Sequence, residues 1–180
     1  MREFLENIRA FQEVLLENGA KQSSVSAQTP RMAIQTLPEG LAQPIELLFA
    51  TLITEEEVVS AARDLFASGH FSLAVQEAFK ALEKFVQIRT GNRASGTMLM
   101  EQVFSPKTPT LFWTTRETQS ELDEQTGYHK LFIGAMQGVR NPCTHEFNWV
   151  DDSILALELL SLVQHLLRKA RGAQLRSPSS

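Results

Sequence analysis

Over residues 70–90 apolar side chains recur at Phe71, Ala74, Val75, Ala78, Phe79, Leu82, Phe85 and Val86. A spacing of three and four gathers them on one side of a chain that coils at 3.6 residues per turn, so the segment is predicted to be an amphipathic helix with that stripe in a core. Lys80, Glu83, Lys84 and Gln87 fall on the outward side. The aromatic residues in such a stripe are core, not a platform for stacking bases.

The same periodicity marks further helices. Thr54 and Glu57 read as a capping box for a helix that buries Val58, Ala61, Ala62, Leu65 and Phe66 and stops at Gly69. A short helix is expected over Thr97–Phe104, followed by a Pro- and Thr-rich loop over 105–120 that tucks Leu111, Phe112 and Trp113 onto the core. A helix from Glu121 or Gly127 presents Leu131, Phe132, Ala135, Met136 and Val139, and Gly134 and Gly138 on it suggest a close helix crossing. The last helix starts at the acidic Asp151-Asp152-Ser153, carries leucines on more than one face and is therefore central. Ahead of all these, Phe4, Ile8, Phe11 and Leu15 form one narrow stripe on a helix over about 2–18. It is suited to packing on its own domain, on a dimer mate or on a partner protein, and a polar linker follows it. The expected organisation is a helical arm and linker over 1–50, an all-α antiparallel bundle over 51–172, and a disordered tail over 173–180.

A net charge of −4 over 180 residues argues against a protein that coats nucleic acid through bulk electrostatics, although an enzyme needs only a local positive cleft. Cys143 is the single cysteine, so no intrachain disulfide forms and a reducing, cytoplasmic setting is expected. No signal-peptide core and no long uncharged apolar run is present, so no membrane contact is expected. Cys143, His145, Glu146 and His129 lack the paired spacing of metal ligands, and neither a metal nor another cofactor is expected.

The chemistry concentrates in Arg140-Asn141-Pro142-Cys143-Thr144-His145. Arginine presents a planar fork of donors matched to phosphate, and histidine exchanges a proton near neutral pH. Pro142 lacks an N–H and biases Asn141 away from helix. The helix is therefore predicted to end near Arg140, with a turn that folds His145 back beside it. On spacing alone the pair fits a plain helix-ending role better, the arginine facing the last carbonyls.

Two separated blocks change that weighting. Gly69-His70-Phe71 with Ala78-Phe79-Lys80-Ala81-Leu82-Glu83, and Gly134-Ala135-Met136 with Arg140-Asn141-Pro142-x-x-His145-Glu146, together resemble the HEPN superfamily, and within it the Ymh-like group associated with prokaryotic abortive infection. The likeness runs from about Thr54 to Ala170. It implies a HEPN-like helical bundle and a dimeric, metal-independent endoribonuclease, with Arg140, Asn141 and His145 as the catalytic set. Lys107 and Arg116 in the long loop, and Glu146, are further candidates for contacts to RNA. HEPN toxins silenced by nucleotidylation carry a tyrosine two residues after the histidine. Phe147 stands there and has no hydroxyl to modify.

Metal-free RNA cleavage needs a base for the 2′-hydroxyl, an acid for the departing 5′-oxygen and positive charge on the phosphorane. One histidine and one arginine are too few, so two copies around a two-fold axis are expected to share one site. The alternatives are a non-catalytic module of the same fold that binds RNA, a nucleotide or a protein, and a purely structural dimerisation domain.

Overall fold

The structure, a computed structural model, describes residues 42–146 and 148–176. The predicted helix over 2–18, and Phe147, lie outside the described residues. The described chain is an all-α bundle: α1 (Ala42–Leu52), α2 (Glu56–Ala67), α3 (Phe71–Thr90), α4 (Gly96–Val103), α5 (Gln119–Ala135), a π-helical turn (Met136–Arg140), α6 (Asn141–His145) and α7 (Ser153–Gly172). One small antiparallel pair joins β1 (Leu111–Phe112) to β2 (Gln174–Leu175), with Leu111 opposite Leu175.

The stripe on α3 is core as predicted, with Ala74, Val75, Ala78, Phe79, Leu82 and Val86 fully buried. It packs between α2 and α7. Helix α7 is central because it buries residues on two of its sides, among them Ala156, Leu160, Val163, Leu166, Leu167 and Ala170. Asp152 caps it by accepting from the Leu155 N–H at 2.8 Å. The long loop is pinned as expected. Leu111 is fully buried, Trp113 stacks on Phe104 at 5.4 Å, and Phe104 stacks on Phe132 at 4.1 Å. Gln125, buried on α5, donates to the Phe104 and Leu111 carbonyls at 3.0 and 3.2 Å.

Several expectations are corrected. Helix α1 runs across the predicted boundary at residue 50 and contributes Phe49 to the core. The Thr54/Glu57 box does not form. Helix α2 starts one residue later, at Glu56 after an extended Glu55 with no side-chain cap, while Glu57 is drawn to Arg171 at 2.7 Å. Gln164 of α7 takes over the capping: its Oε1 accepts from the N–H groups of Thr54 and Glu55 at 2.6 and 3.0 Å, and its Nε2 donates to the Leu52 carbonyl at 2.8 Å. The box that does form is Thr118/Glu121 at the start of α5. Residues 173–176 are no disordered tail, because Ala173 is buried and Gln174–Leu175 pairs with β1. Among the described residues a Cβ at Gly134 or Gly138 would meet nothing within 4 Å, so these glycines make no close helix crossing with the described helices.

The Thr118 cap carries a measurable share of stability. Its hydroxyl accepts from the Glu121 N–H at 3.3 Å, and the Glu121 carboxylate accepts from the Thr118 and Glu117 N–H groups at 3.0 and 2.9 Å. Those backbone donors hold the Glu121 carboxyl below its usual pKa. A depressed carboxyl stabilises the fold above its unfolded pKa and loses that contribution as pH falls through the folded value. Thr118→Ala is expected to lower the unfolding free energy by about 1 kcal/mol, read as a lower urea midpoint with an unchanged slope.

Candidate functional site

Pro142 does not end the helix. Arg140 and Asn141 keep right-handed helical angles (φ −58°, ψ −45° and φ −65°, ψ −48°), and the Asn141 N–H reaches back five residues to the Met136 carbonyl. A proline inside an α-helix clashes with the carbonyl four residues earlier and leaves it without a donor. The wider turn over Met136–Arg140 relieves that clash, and the chain continues helical to His145. Such π-turns recur at functional sites.

The continuity separates Arg140 from His145. Helix geometry sets residues five apart about 140° apart around the axis, so the predicted fold-back of His145 beside Arg140 does not occur within the chain. Arg140 turns toward α3 and is 23% exposed at its side chain. His145, the last residue of α6, is exposed, as is Glu146. Asn141 stays with the arginine: its Oδ1 accepts from an Arg140 Nη at 3.3 Å.

Glu83 is the residue that sequence reading placed wrongly. Predicted to point outward, it is 8% exposed, and its Oε2 lies 3.8 Å from the other Arg140 Nη. That is ion-pair range but beyond hydrogen-bond reach. At this spacing two unit charges attract by about 4 kcal/mol in an effective dielectric of about 20, before desolvation is subtracted. Among the described residues Glu83 Oε2 and Arg140 Nε, both buried, have no hydrogen-bond partner. The stripe rule put Glu83 one position past Leu82 and therefore at the edge of the core. The π-turn, which no periodicity announces, brings the arginine over it.

Helix α6 runs antiparallel to α3, with Arg140 beside Glu83 and the chain after His145 beside the start of α3. There the Val150 N–H donates to the Ser72 hydroxyl at 2.7 Å. Between these segments lies a cleft of about 310 Å³, lined by His70, Ser72, Gln76, Cys143, Glu146 and Asn148 among others. Burial pushes the Cys143 thiol up to about 11. The thiolate is the reactive form, so labelling of Cys143 at pH 8 is expected to be at least tenfold slower in the folded protein than in urea. Above about pH 9, the ordinary thiol value, the unfolded chain loses this proton first. Stability from the buried thiol is therefore full below that pH and lost as pH rises toward 11.

The loop cations belong elsewhere. Arg116, held at φ 62°, donates to the Pro106 carbonyl at 3.1 Å, next to the exposed Lys107. Both precede the start of α5, roughly 30 Å along the helix from Arg140 at about 1.5 Å of rise per residue. The structure does not bring them to the arginine within one chain. A second cluster lies at their end of the molecule: Lys169 Nζ sits 4.3 Å from the Tyr128 ring centre and bonds Glu124, while the Tyr128 hydroxyl meets His165 Nε2 at 2.9 Å. Among the described residues no three of His, Cys, Asp and Glu converge on a metal position, and no helix is long and apolar enough to cross a membrane.

The two sequence blocks fall on helices in contact, α3 and the π-turn with α6. A family profile described as "Protein of unknown function (Hypoth_ymh)" matches residues 53–170, from the end of α1 to the last buried residue of α7. The chain belongs to the Hypoth_ymh family. The Hypoth_ymh match thus spans both blocks, the Glu83–Arg140 pair and the cleft. No curated protein and no solved structure matches the chain.

Proposed function

We propose that this protein is a HEPN-type, metal-independent endoribonuclease that acts as a homodimer in prokaryotic or phage-related defence. The observation that carries the reading is a partly exposed Arg140, bonded to Asn141, on the same interrupted helix end as the exposed His145. The likeness of the two blocks to HEPN proteins supports it. Because helix continuity parts Arg140 from His145 within a chain, the reaction requires the second copy. The two His145 imidazoles act as base for the 2′-hydroxyl and acid for the 5′-oxygen, and an Arg140 guanidinium stabilises charge on the phosphorane. Asn141 holds that guanidinium, and Glu146 and the surface beside the cleft contact the RNA. Lys107 and Arg116 serve only if the strand crosses to the far end of α5.

The Glu83 carboxylate beside Arg140 favours a second reading, a non-catalytic module that binds RNA, a nucleotide or a protein, because it offsets the charge that cleavage uses. Purified protein incubated with labelled single-stranded RNA in excess chelator separates the two. Cleavage to 2′,3′-cyclic phosphate and 5′-hydroxyl ends, absent on the 2′-deoxy strand, supports the nuclease. Binding of RNA without cleavage supports the module. A protein that is a strict monomer at working concentration would sink the composite site.

A further inference from the structure

We propose that Glu83 is a positioning residue for Arg140, an inference that rests on the nuclease reading for its consequence in catalysis but not for its geometry. Three observations converge on it. Glu83 is a carboxylate more than nine-tenths buried on a helix whose other buried residues are apolar. Its Oε2 faces one end of the Arg140 fork at 3.8 Å, while Asn141 accepts from the other Nη at 3.3 Å. The α3 stripe and the π-turn place the two side chains together although 57 residues separate them in sequence.

An amide oxygen that accepts from one nitrogen and a carboxylate in ion-pair range of the other restrain the plane of a guanidinium, and that plane decides which N–H edge is left for a phosphate. A side chain as long as arginine otherwise samples many rotamers, and ordering it only when substrate arrives reduces the rate. The carboxylate also has an opposing effect. It neutralises part of the field that would attract RNA, so it weakens ground-state binding while it improves alignment. A group that merely filled space in the core would do neither.

The experiment compares unsubstituted protein, Glu83→Gln, Arg140→Lys and the double variant on a labelled single-stranded RNA, with kcat and KM read separately. The glutamine has the same shape and is expected to fold, which circular dichroism checks. Positioning predicts that Glu83→Gln lowers kcat about ten- to hundredfold with KM unchanged or lower. It also predicts that the same change in the Arg140→Lys background adds less than threefold. An unchanged kcat, a raised KM with kcat intact, or effects that multiply in the double variant overturn it. If the unsubstituted protein cuts no RNA, the nuclease reading fails by itself, and urea midpoints of the same four proteins then decide. A double variant shifted by less than the sum of the single shifts supports the pair, and simple addition overturns it.

Discussion

Replacing Arg140 by alanine is expected to slow RNA cleavage by about 10³-fold, the upper range for loss of one group that stabilises developing charge. His145→Ala is expected to cost between about 10² and 10⁴, the span for general acid–base groups. The two losses differ in kind. Arginine removal strips charge stabilisation at every pH, whereas histidine removal also flattens the pH dependence of kcat. Initial rates under enzyme excess, measured across pH 5–9, resolve both. Mixing unsubstituted and His145→Ala chains gives a sharper reading. If the shared site needs both imidazoles, each heterodimer keeps only one histidine and stays inactive, so an excess of the variant lowers the activity of the unsubstituted protein well beyond dilution. A mixture whose activity stays at that of its unsubstituted share after the chains have exchanged would show that the two copies do not share one site.

The largest stability effect is expected at Gln164. It is 6% exposed, and one amide satisfies three backbone groups at the junction of α1 and α2: the N–H of Thr54, the N–H of Glu55 and the carbonyl of Leu52. Each backbone group left unsatisfied costs about 1–3 kcal/mol when water cannot reach it. Thr54 and its surroundings are partly open to solvent, so the sum falls short of three full penalties. Gln164→Ala is expected to lower the unfolding free energy by about 3 kcal/mol, read by urea denaturation. A loss below about 1 kcal/mol would mean that water replaces the amide. Nearby Arg168 and Arg171 pair with Glu55 at 2.7 and 3.1 Å, but both arginines are about half exposed. Those pairs contribute little by comparison.

What could be read in advance follows a physical divide. Stripes with period 3.6 gave α3, α2 and α7 because local spacing alone decides which residues share a helix face. Ile45, Leu48, Phe49 and Leu52 have the same spacing, yet the polar stretch before them masked α1. The Thr118-Gln-Ser-Glu121 pattern is as legible a capping box as Thr54 and Glu57, but the partners of the latter two come from a helix more than a hundred residues away. The segment around Pro142 is harder. Pro142 signals a break by local rules, and the break is avoided through hydrogen bonds that skip one residue further back, a choice made by packing on α3. Glu83 turns inward, against its expected outward face, for the same reason. A residue at the edge of a stripe goes inward or outward according to what the neighbouring helix offers, and here it offers a guanidinium. The pairing of Gln174–Leu175 with Leu111–Phe112 joins segments distant in sequence and leaves no local trace.

The over-full turn at Met136–Arg140 acts as a phase shifter. It advances the helix beyond it by one residue, roughly 100°, and so aligns two coiled stretches that their own repeats would leave out of step. Substitutions at Gln137 or Gly138, both exposed, leave that phase alone, whereas a single insertion or deletion between Met136 and Arg140 resets it. Length, more than side-chain identity, is the property this stretch has to keep.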